Sequence, residues 1–281
     1  MAGTHEPGFV TYGQAVVAEV CDDVQTLMDR FKPHGALDWP WAESIVARLV
    51  KLIPPPSQPV PYLRAHGPYE PAHAVNVAIY AMAVARGLGF TAKQMSELAL
   101  AALFHDIGKQ MPQSHPRKAD LLKLPDHGTV GFELMRENVD ILPRIARWVG
   151  DHHERLDGSG PRQETTPSIE AQILGICDIF DANITPHPER SFLSPHSARM
   201  IALSVAPGKF TPEVVTAFEQ HVLPYPPESP VRLSDGTLAI VVTPSAPDDP
   251  LMPVIRAGDG KEYNLSEYAK PRVSGYIRVP S

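Results

Sequence analysis

"ALFHDIGKQM", residues 102–111, carries an apolar helical stretch into a histidine, an aspartate, a glycine and a lysine. Thr91 followed three residues later by Gln94 has the capping-box pattern, so the spacing predicts a helix that opens there and runs into His105. Two side chains able to bind metal therefore stand where the apolar pattern runs out. One His-Asp pair is more often a core or capping interaction than a metal site, so the neighbouring segments decide.

Outward from that stretch the chain reads as helix after helix. Pro71 suits a first-turn position, and Val75, Ala78, Ile79 and Met82 form a stripe that ends near Gly87 and Gly89. Residues 126–138 and 139–153 give two more helices, and Pro167 opens another through Ile173, Ile176 and Ile179. Ser194-Pro195 and Thr211-Pro212 each place a capping hydroxyl before a first-turn proline, opening two further helices. Upstream, residues 10–31 and 41–53 have helical spacing (Val16, Val17, Val20, Val24, Leu27; Ile45, Val46, Leu49, Val50). "PPPSQPVP", 54–61, marks a linker after them. After Pro230 the texture changes: "VRLSDGTLAIVV" sets a DG turn between β-rich runs, and "MPVIRAGDGKEYNL" repeats the scheme. The predicted fold is mainly α, a helical bundle with N-terminal helices (1–60), a central domain (61–229) and a small β appendage (230–281).

Composition narrows the function. A hydrophobic fraction of 43% over 281 residues is ample for a core, and no apolar run approaches the roughly 20 residues that cross a bilayer. The net charge of −7 argues against binding a nucleic-acid polymer, which needs a basic face. A small anionic substrate would then need a local positive centre such as bound metal. Cys21 and Cys177 stand in no CxxC pattern, which argues against a disulfide framework and fits a reducing cytosol.

Four further histidines fall at helix ends: His73 in a first turn, His127 near the start of another helix, His152-His153 at the end of a fourth. Asp178 and Asp181 sit mid-helix among isoleucines, where an unpaired carboxylate is costly. No lysine or arginine lies between Glu170 and Arg190 to pair with them, and metal would meet the demand.

"HAVNVAIYA" (73–81), "ALFHDIGK", "DHGTVGFELM" (126–135), "HHERLDGSG" (152–160) and "ILGICDIFDA" (173–182) resemble, in order and spacing, the signatures of the HD-GYP subfamily of HD-domain metal-dependent phosphohydrolases. The resemblance covers about residues 70–222, with "GKFTPEVVTAF" near its end. It implies that His73, His105, Asp106, His127, His152, His153 and Asp178 are metal ligands and that Lys109 faces a phosphate. Asp181 falls on a second family aspartate that is not usually a ligand. Roughly octahedral coordination of two ions needs about twelve sites, and these seven residues, with Asp106 bridging, fill about eight; a bridging hydroxide and phosphate oxygens complete the set. The donors suit iron, manganese, nickel or zinc, and the resemblance implies iron or manganese. A third ion in the family uses a glutamate four residues before the first histidine. Tyr69 stands there, and Glu70, one position on, is rotated by about 100°.

The resemblance also implies the activity: hydrolysis of cyclic di-GMP to pGpG or GMP, the hydroxide between the ions acting as nucleophile and Asp106 and Lys109 as catalytic groups. Arg155, Arg162 and Arg190 are candidates for gripping the second phosphate or a guanine. One departure is plain. The family's DGxGYP reads "DGSGPRQ" (157–163), with no tyrosine between Gly160 and Pro161, and that segment is implicated in contacts with diguanylate cyclase (GGDEF) domains. Other readings are an HD phosphohydrolase for another nucleotide or phosphate ester, a non-catalytic module that binds the messenger or a cyclase, and di-iron oxygen chemistry.

Overall fold

Trp39, Pro40 and Trp41 follow Asp38, whose carboxylate accepts from the Trp41 amide at 3.3 Å, and this cap starts the second of ten helices among the described residues. The computed structural model describes residues 12–277 apart from 35, 112–114, 116, 117, 125, 139, 164, 165, 190, 245–248 and 250. In chain order the helices are α1 (Tyr12–His34), α2 (Trp39–Val50), α3 (Tyr69–Gly87), α4 (Ala92–Phe104), the short α5 (Lys118–Leu121), α6 (His127–Arg136), α7 (Pro143–Asp151), α8 (Ile169–Ile184), α9 (Pro195–Val205) and α10 (Pro212–His221).

α3 is buried on almost every face and is the axis of the bundle, packed by α1, α4, α8 and α10. Its alanines, including Ala74, Ala78, Ala81 and Ala85, are fully buried and let the neighbouring backbones come close. α4 opens as the sequence predicts: the Thr91 hydroxyl accepts from the Gln94 amide at 3.3 Å and the Gln94 side chain accepts from the Thr91 amide at 2.9 Å. One apolar core runs from Val17, Val20 and Val24 of α1 through Leu98 and Leu103 of α4 to Val214 and Phe218 of α10, so the N-terminal helices share the main core.

Three starts differ from expectation. α7 begins only at Pro143, because the residue before a proline is pushed out of helical geometry and Leu142 is extended (φ −63°, ψ 128°). α8 is capped by Ser168, whose hydroxyl accepts from the Ala171 amide, rather than opened by Pro167. Thr211 precedes α10 but its hydroxyl makes no cap; its amide donates instead to the Gln172 side chain at 2.7 Å.

The C-terminal strands are β1 (Pro230–Leu233), β2 (Leu238–Thr243), β3 (Val254–Ala257), β4 (Glu262–Asn264) and β5 (Val273–Tyr276). They form one antiparallel sheet in the order β4-β3-β2-β1-β5. Both predicted DG turns close hairpins, with Gly236 at φ +91° and Gly260 at φ +78°, backbone that a side chain rarely adopts. The sheet has its own small core of Val231, Leu233, Ala239, Val241 and Ile255 with Tyr225. Tyr276 ties it to the helices, its hydroxyl donating to the Pro224 carbonyl at 2.7 Å and its ring tilted 5.0 Å from Tyr62. Among the described residues no helix is long and apolar enough to cross a membrane.

Candidate metal centre

Five elements bring their ends or middles to one place. α3 supplies His73 near its start, α4 runs out into His105 and Asp106, α6 begins with His127, α7 is followed by His152 and His153, and α8 places Asp178 mid-helix. Asp106 is the hinge of the cluster. Its Oδ1 lies 2.9 Å from His127 Nε2, while its Oδ2 lies 3.6 Å from His105 Nε2 and 3.9 Å from His73 Nε2. Asp178 Oδ1 closes the second side, 3.1 Å from His73 Nε2 and 3.8 Å from His105 Nε2. On the first side His153 Nε2 stands 3.0 Å from His127 Nε2, and the His152 ring lies 4.0 Å from that of His153. The donors thus fall into two sets, His73-His105-Asp106 with Asp178 beside them and His127-His152-His153, which Asp106 faces with one oxygen each.

Hydrogen bonding shows that these donors fit a cation. His105 Nδ1 is 2.8 Å from the Ala102 carbonyl oxygen and His152 Nδ1 is 2.6 Å from that of Val149. A carbonyl only accepts, so each Nδ1 carries the proton and each Nε2 presents a lone pair. Both Nε2 atoms are buried with no hydrogen-bond partner among the described residues, a costly arrangement unless a cation takes the lone pairs. His127 and His153 direct two ring nitrogens at one another, again as ligands of a shared ion would. Imidazoles and carboxylates without thiolate suit first-row divalent ions.

The electrostatics agree. Burial lowers His105 and His152, and brings His153 down to about 4, so these rings are neutral and ready to ligate near pH 7. Burial would lower His73 too, but the hydrogen bonds it donates to Asp178 and Asp181 outweigh it and raise it to about 10. A proton on that ring lies where the two carboxylates call for positive charge. For Asp106 burial acts upward and is outweighed by His105, His127 and Lys109, which hold the carboxylate ionised.

Behind the ligands lies a layer that local sequence reading missed. Asp181 is wholly buried, but its counter-charge comes from far along the chain: Arg64, itself 4% exposed, with Nη1 3.4 Å from Asp181 Oδ1. The expectation that only metal could neutralise both α8 carboxylates is corrected for Asp181. Its Oδ2 accepts from His73 Nδ1 at 2.8 Å and from the Thr185 hydroxyl at 2.7 Å, which aims His73 Nε2 at the donor cluster. Arg64 also donates to Thr185 Oγ1 at 2.8 Å and to the Tyr80 hydroxyl at 3.1 Å. The i, i+3 spacing of Asp178 and Asp181 places both on one helix face; nothing near Arg64 in the sequence announces the pair.

Other expected residues fall elsewhere. Glu70 is exposed and belongs to neither donor set; the rotation of one helical position carries it away, and Tyr69 stacks on His73 instead, ring centres 5.1 Å apart. Arg162 is corrected from a substrate contact to a strut of the altered loop. It pairs with Asp151 and with Glu154 Oε1 at 3.3 Å, and donates to the Gly150 carbonyl at 3.0 Å. Arg155 donates to the His152 and Glu154 carbonyls, each at 2.8 Å, and lies 4.9 Å over the Phe210 ring, so it braces the double-histidine turn. Arg190 lies outside the described residues. Lys109 turns back as expected, its Nζ 2.7 Å from Asp106 Oδ2 with half of the side chain exposed at the mouth of the cluster.

Gly108 is required by a close approach of backbone. A Cβ there would lie 2.0 Å from the His127 carbonyl oxygen, so glycine is what lets the 3-10 turn Ile107–Gln110 touch the start of α6 and set Asp106 beside His127. Gly108→Ala is therefore expected to destabilise the fold by about 3 kcal/mol and to weaken metal retention, read by urea unfolding and elemental analysis. Unchanged values for both would remove that account.

The HD domain profile matches residues 72–183, the span from the start of α3 to the end of α8 that carries all seven donors. Those residues match the HD-domain family. The chain is 30% identical over 192 residues to a cyclic di-GMP phosphodiesterase of Pseudomonas aeruginosa, covering 64% of this chain and 46% of that one. It is 30% identical over 168 residues to a 3′3′-cGAMP-specific phosphodiesterase of Vibrio cholerae, covering 56% of this chain and 34% of that one. The chain thus spans less than half of either relative. The solved structure of an HDG"Y"P protein from Bdellovibrio bacteriovorus shares the fold, with TM-score 0.54 at 16% identity over 77% of this chain and 73% of that one. The resemblance read from the sequence holds for the HD domain over these residues, and its His/Asp clusters could hold the metal on which HD domains depend.

Proposed function

We propose that this HD-domain protein hydrolyses a phosphodiester bond of a cyclic dinucleotide, cyclic di-GMP giving pGpG or GMP, using two divalent ions, iron or manganese. The observation that supports it most is Asp106, one carboxylate facing two separate donor sets with an oxygen each. A pair of divalent ions, when bound, supplies Lewis-acid stabilisation of phosphate and a water acidic enough to act near neutral pH. The chain's own residues do the rest. Asp106 fixes the spacing of the two sets, His73 is aimed by Asp181, and Lys109 at the mouth places a point charge where a non-bridging phosphate oxygen enters. Burial of His73, His105 and His152 keeps bulk water off the back of the site. A cytoplasmic location belongs to the same reading and rests on the free, buried Cys21 and Cys177.

One observation favours a second substrate. The loop that replaces DGxGYP lacks the tyrosine and is pinned by Arg162, so selectivity among cyclic dinucleotides need not follow the Pseudomonas relative, and 3′3′-cGAMP is the alternative. Anaerobically prepared, iron- or manganese-loaded protein is expected to cleave one of the two, and chelation to cut the rate by at least about 100-fold. Turnover of a linear nucleotide or a phosphate monoester, with both cyclic dinucleotides intact, would reject the reading.

A further inference from the structure

Between the helical body and the sheet lies a cavity of about 310 Å³, separate from the donor cluster. Its charge is one-sided: Arg64 and Arg232 line it, and among the described residues no carboxylate does. Arg232 is exposed on β1 and makes no ion pair among the described residues, while its strand neighbours Val231 and Leu233 turn into the sheet core. Across the strand pair Arg232 faces Gly275, where an added Cβ would meet nothing within 4 Å, so the glycine leaves the space beside the guanidinium open. The opposite wall is apolar. Phe192 and Leu193 line it while remaining 46% and 37% exposed, and Leu193 is fixed by its amide, which donates to the Asn183 carbonyl at 2.7 Å.

An exposed aromatic ring and an exposed guanidinium lining one cavity, in a protein of net charge −7, match a planar apolar group joined to an anion. The volume is at the lower end of the roughly 300–1,000 Å³ found for small-molecule sites. It suits one base, one sugar and one phosphate, and is too small for a ligand with two of each. The innermost wall is Arg64, the guanidinium that holds Asp181 and through it His73.

We infer that this cavity binds a nucleoside monophosphate, with the phosphate on Arg232 and the base against Phe192 and Leu193, and that its occupancy is felt at the metal centre through Arg64 and Asp181. The proposal requires no particular substrate at the metal centre.

The test is calorimetric titration of GMP into the full, manganese-loaded chain and into Arg232→Glu and Gly275→Leu. The first variant reverses the charge and the second fills the open space without touching a donor residue. One binding event is expected to weaken at least about tenfold in both variants, with manganese content and cyclic dinucleotide turnover in the absence of GMP unchanged. Guanosine and ribose 5-phosphate, each lacking half of the ligand, should bind at least about tenfold more weakly than GMP at this site. Saturating GMP should shift manganese affinity by about fivefold, and not in Arg232→Glu. GMP binding that both variants leave intact, or none at all, overturns the site; ribose 5-phosphate binding as tightly as GMP overturns the assignment of the apolar wall; manganese affinity indifferent to GMP overturns the coupling. Binding is read without turnover, so an inactive protein that still binds GMP would count against the phosphodiesterase reading alone.

Discussion

Asp106→Ala is expected to abolish phosphodiester hydrolysis, with a fall on the order of 10⁴-fold or more, while the fold survives. The size follows from position. Asp106 is the one carboxylate among the described donors that reaches both sets, with Oδ1 at 2.9 Å from His127 and Oδ2 at 3.6 Å from His105. Removing it takes a carboxylate oxygen from each donor set, which on the proposed two-ion reading would cost each ion a ligand, and frees Lys109, whose ammonium is held at 2.7 Å. The fold should tolerate the change because the side chain is at the rim of the apolar core and the elements on either side, α4 and α6, keep their caps at Thr91 and Asp126. Elemental analysis should show bound metal falling from two ions towards one or none. Circular dichroism should be unchanged, which separates loss of the centre from unfolding. Asp106→Asn keeps one neutral acceptor oxygen and is expected to retain more metal than the alanine variant but almost none of the activity, since an amide nitrogen cannot serve the second ion. Wild-type rates in Asp106→Ala would remove the assigned site.

Much of this centre could be read before any coordinates, and the reason is local chemistry. Helix starts are set by residues at fixed short offsets, so Thr91 with Gln94 and Ser194 with Pro195 mark α4 and α9 from sequence alone. The candidate donors are legible for a related reason: six of the seven stand at or near the end of a helix that the apolar pattern delimits, Asp178 alone lying mid-helix, and the five motifs follow one another in a recognisable order. What was not legible depends on contacts between distant segments. Arg64 and Asp181 are 117 residues apart, and only the packing of the segment before α3 against α8 shows that they meet. The reason for Gly108, its approach to the His127 carbonyl, is invisible from its neighbours in sequence. Arg162 looked like a free cation near a phosphate site, and it ties the loop to Asp151 and Glu154. Basic side chains misled in both directions, since a long flexible chain chooses its partner in tertiary space.

The Arg64–Asp181 pair yields the second large effect, on stability and metal retention together. Arg64→Ala leaves a wholly buried carboxylate without its guanidinium, a change that costs about 3–5 kcal/mol in comparable pairs. Asp181 keeps the His73 ring and the Thr185 hydroxyl as partners, which places the expected loss at the lower end, about 3 kcal/mol, measured by urea unfolding. Arg64→Met with Asp181→Asn removes both charges while leaving an amide oxygen to accept from His73 Nδ1, and should recover most of that loss. Metal affinity distinguishes this from a generic core defect. Asp181→Ala releases the His73 ring and should weaken metal binding by about 10–100-fold, whereas Asp181→Asn, which preserves the acceptor, should weaken it far less. If the alanine and asparagine variants hold metal equally well, Asp181 does not aim the ligand. If Arg64→Ala unfolds at the wild-type urea concentration, the buried charge is neutralised by something other than the guanidinium beside it.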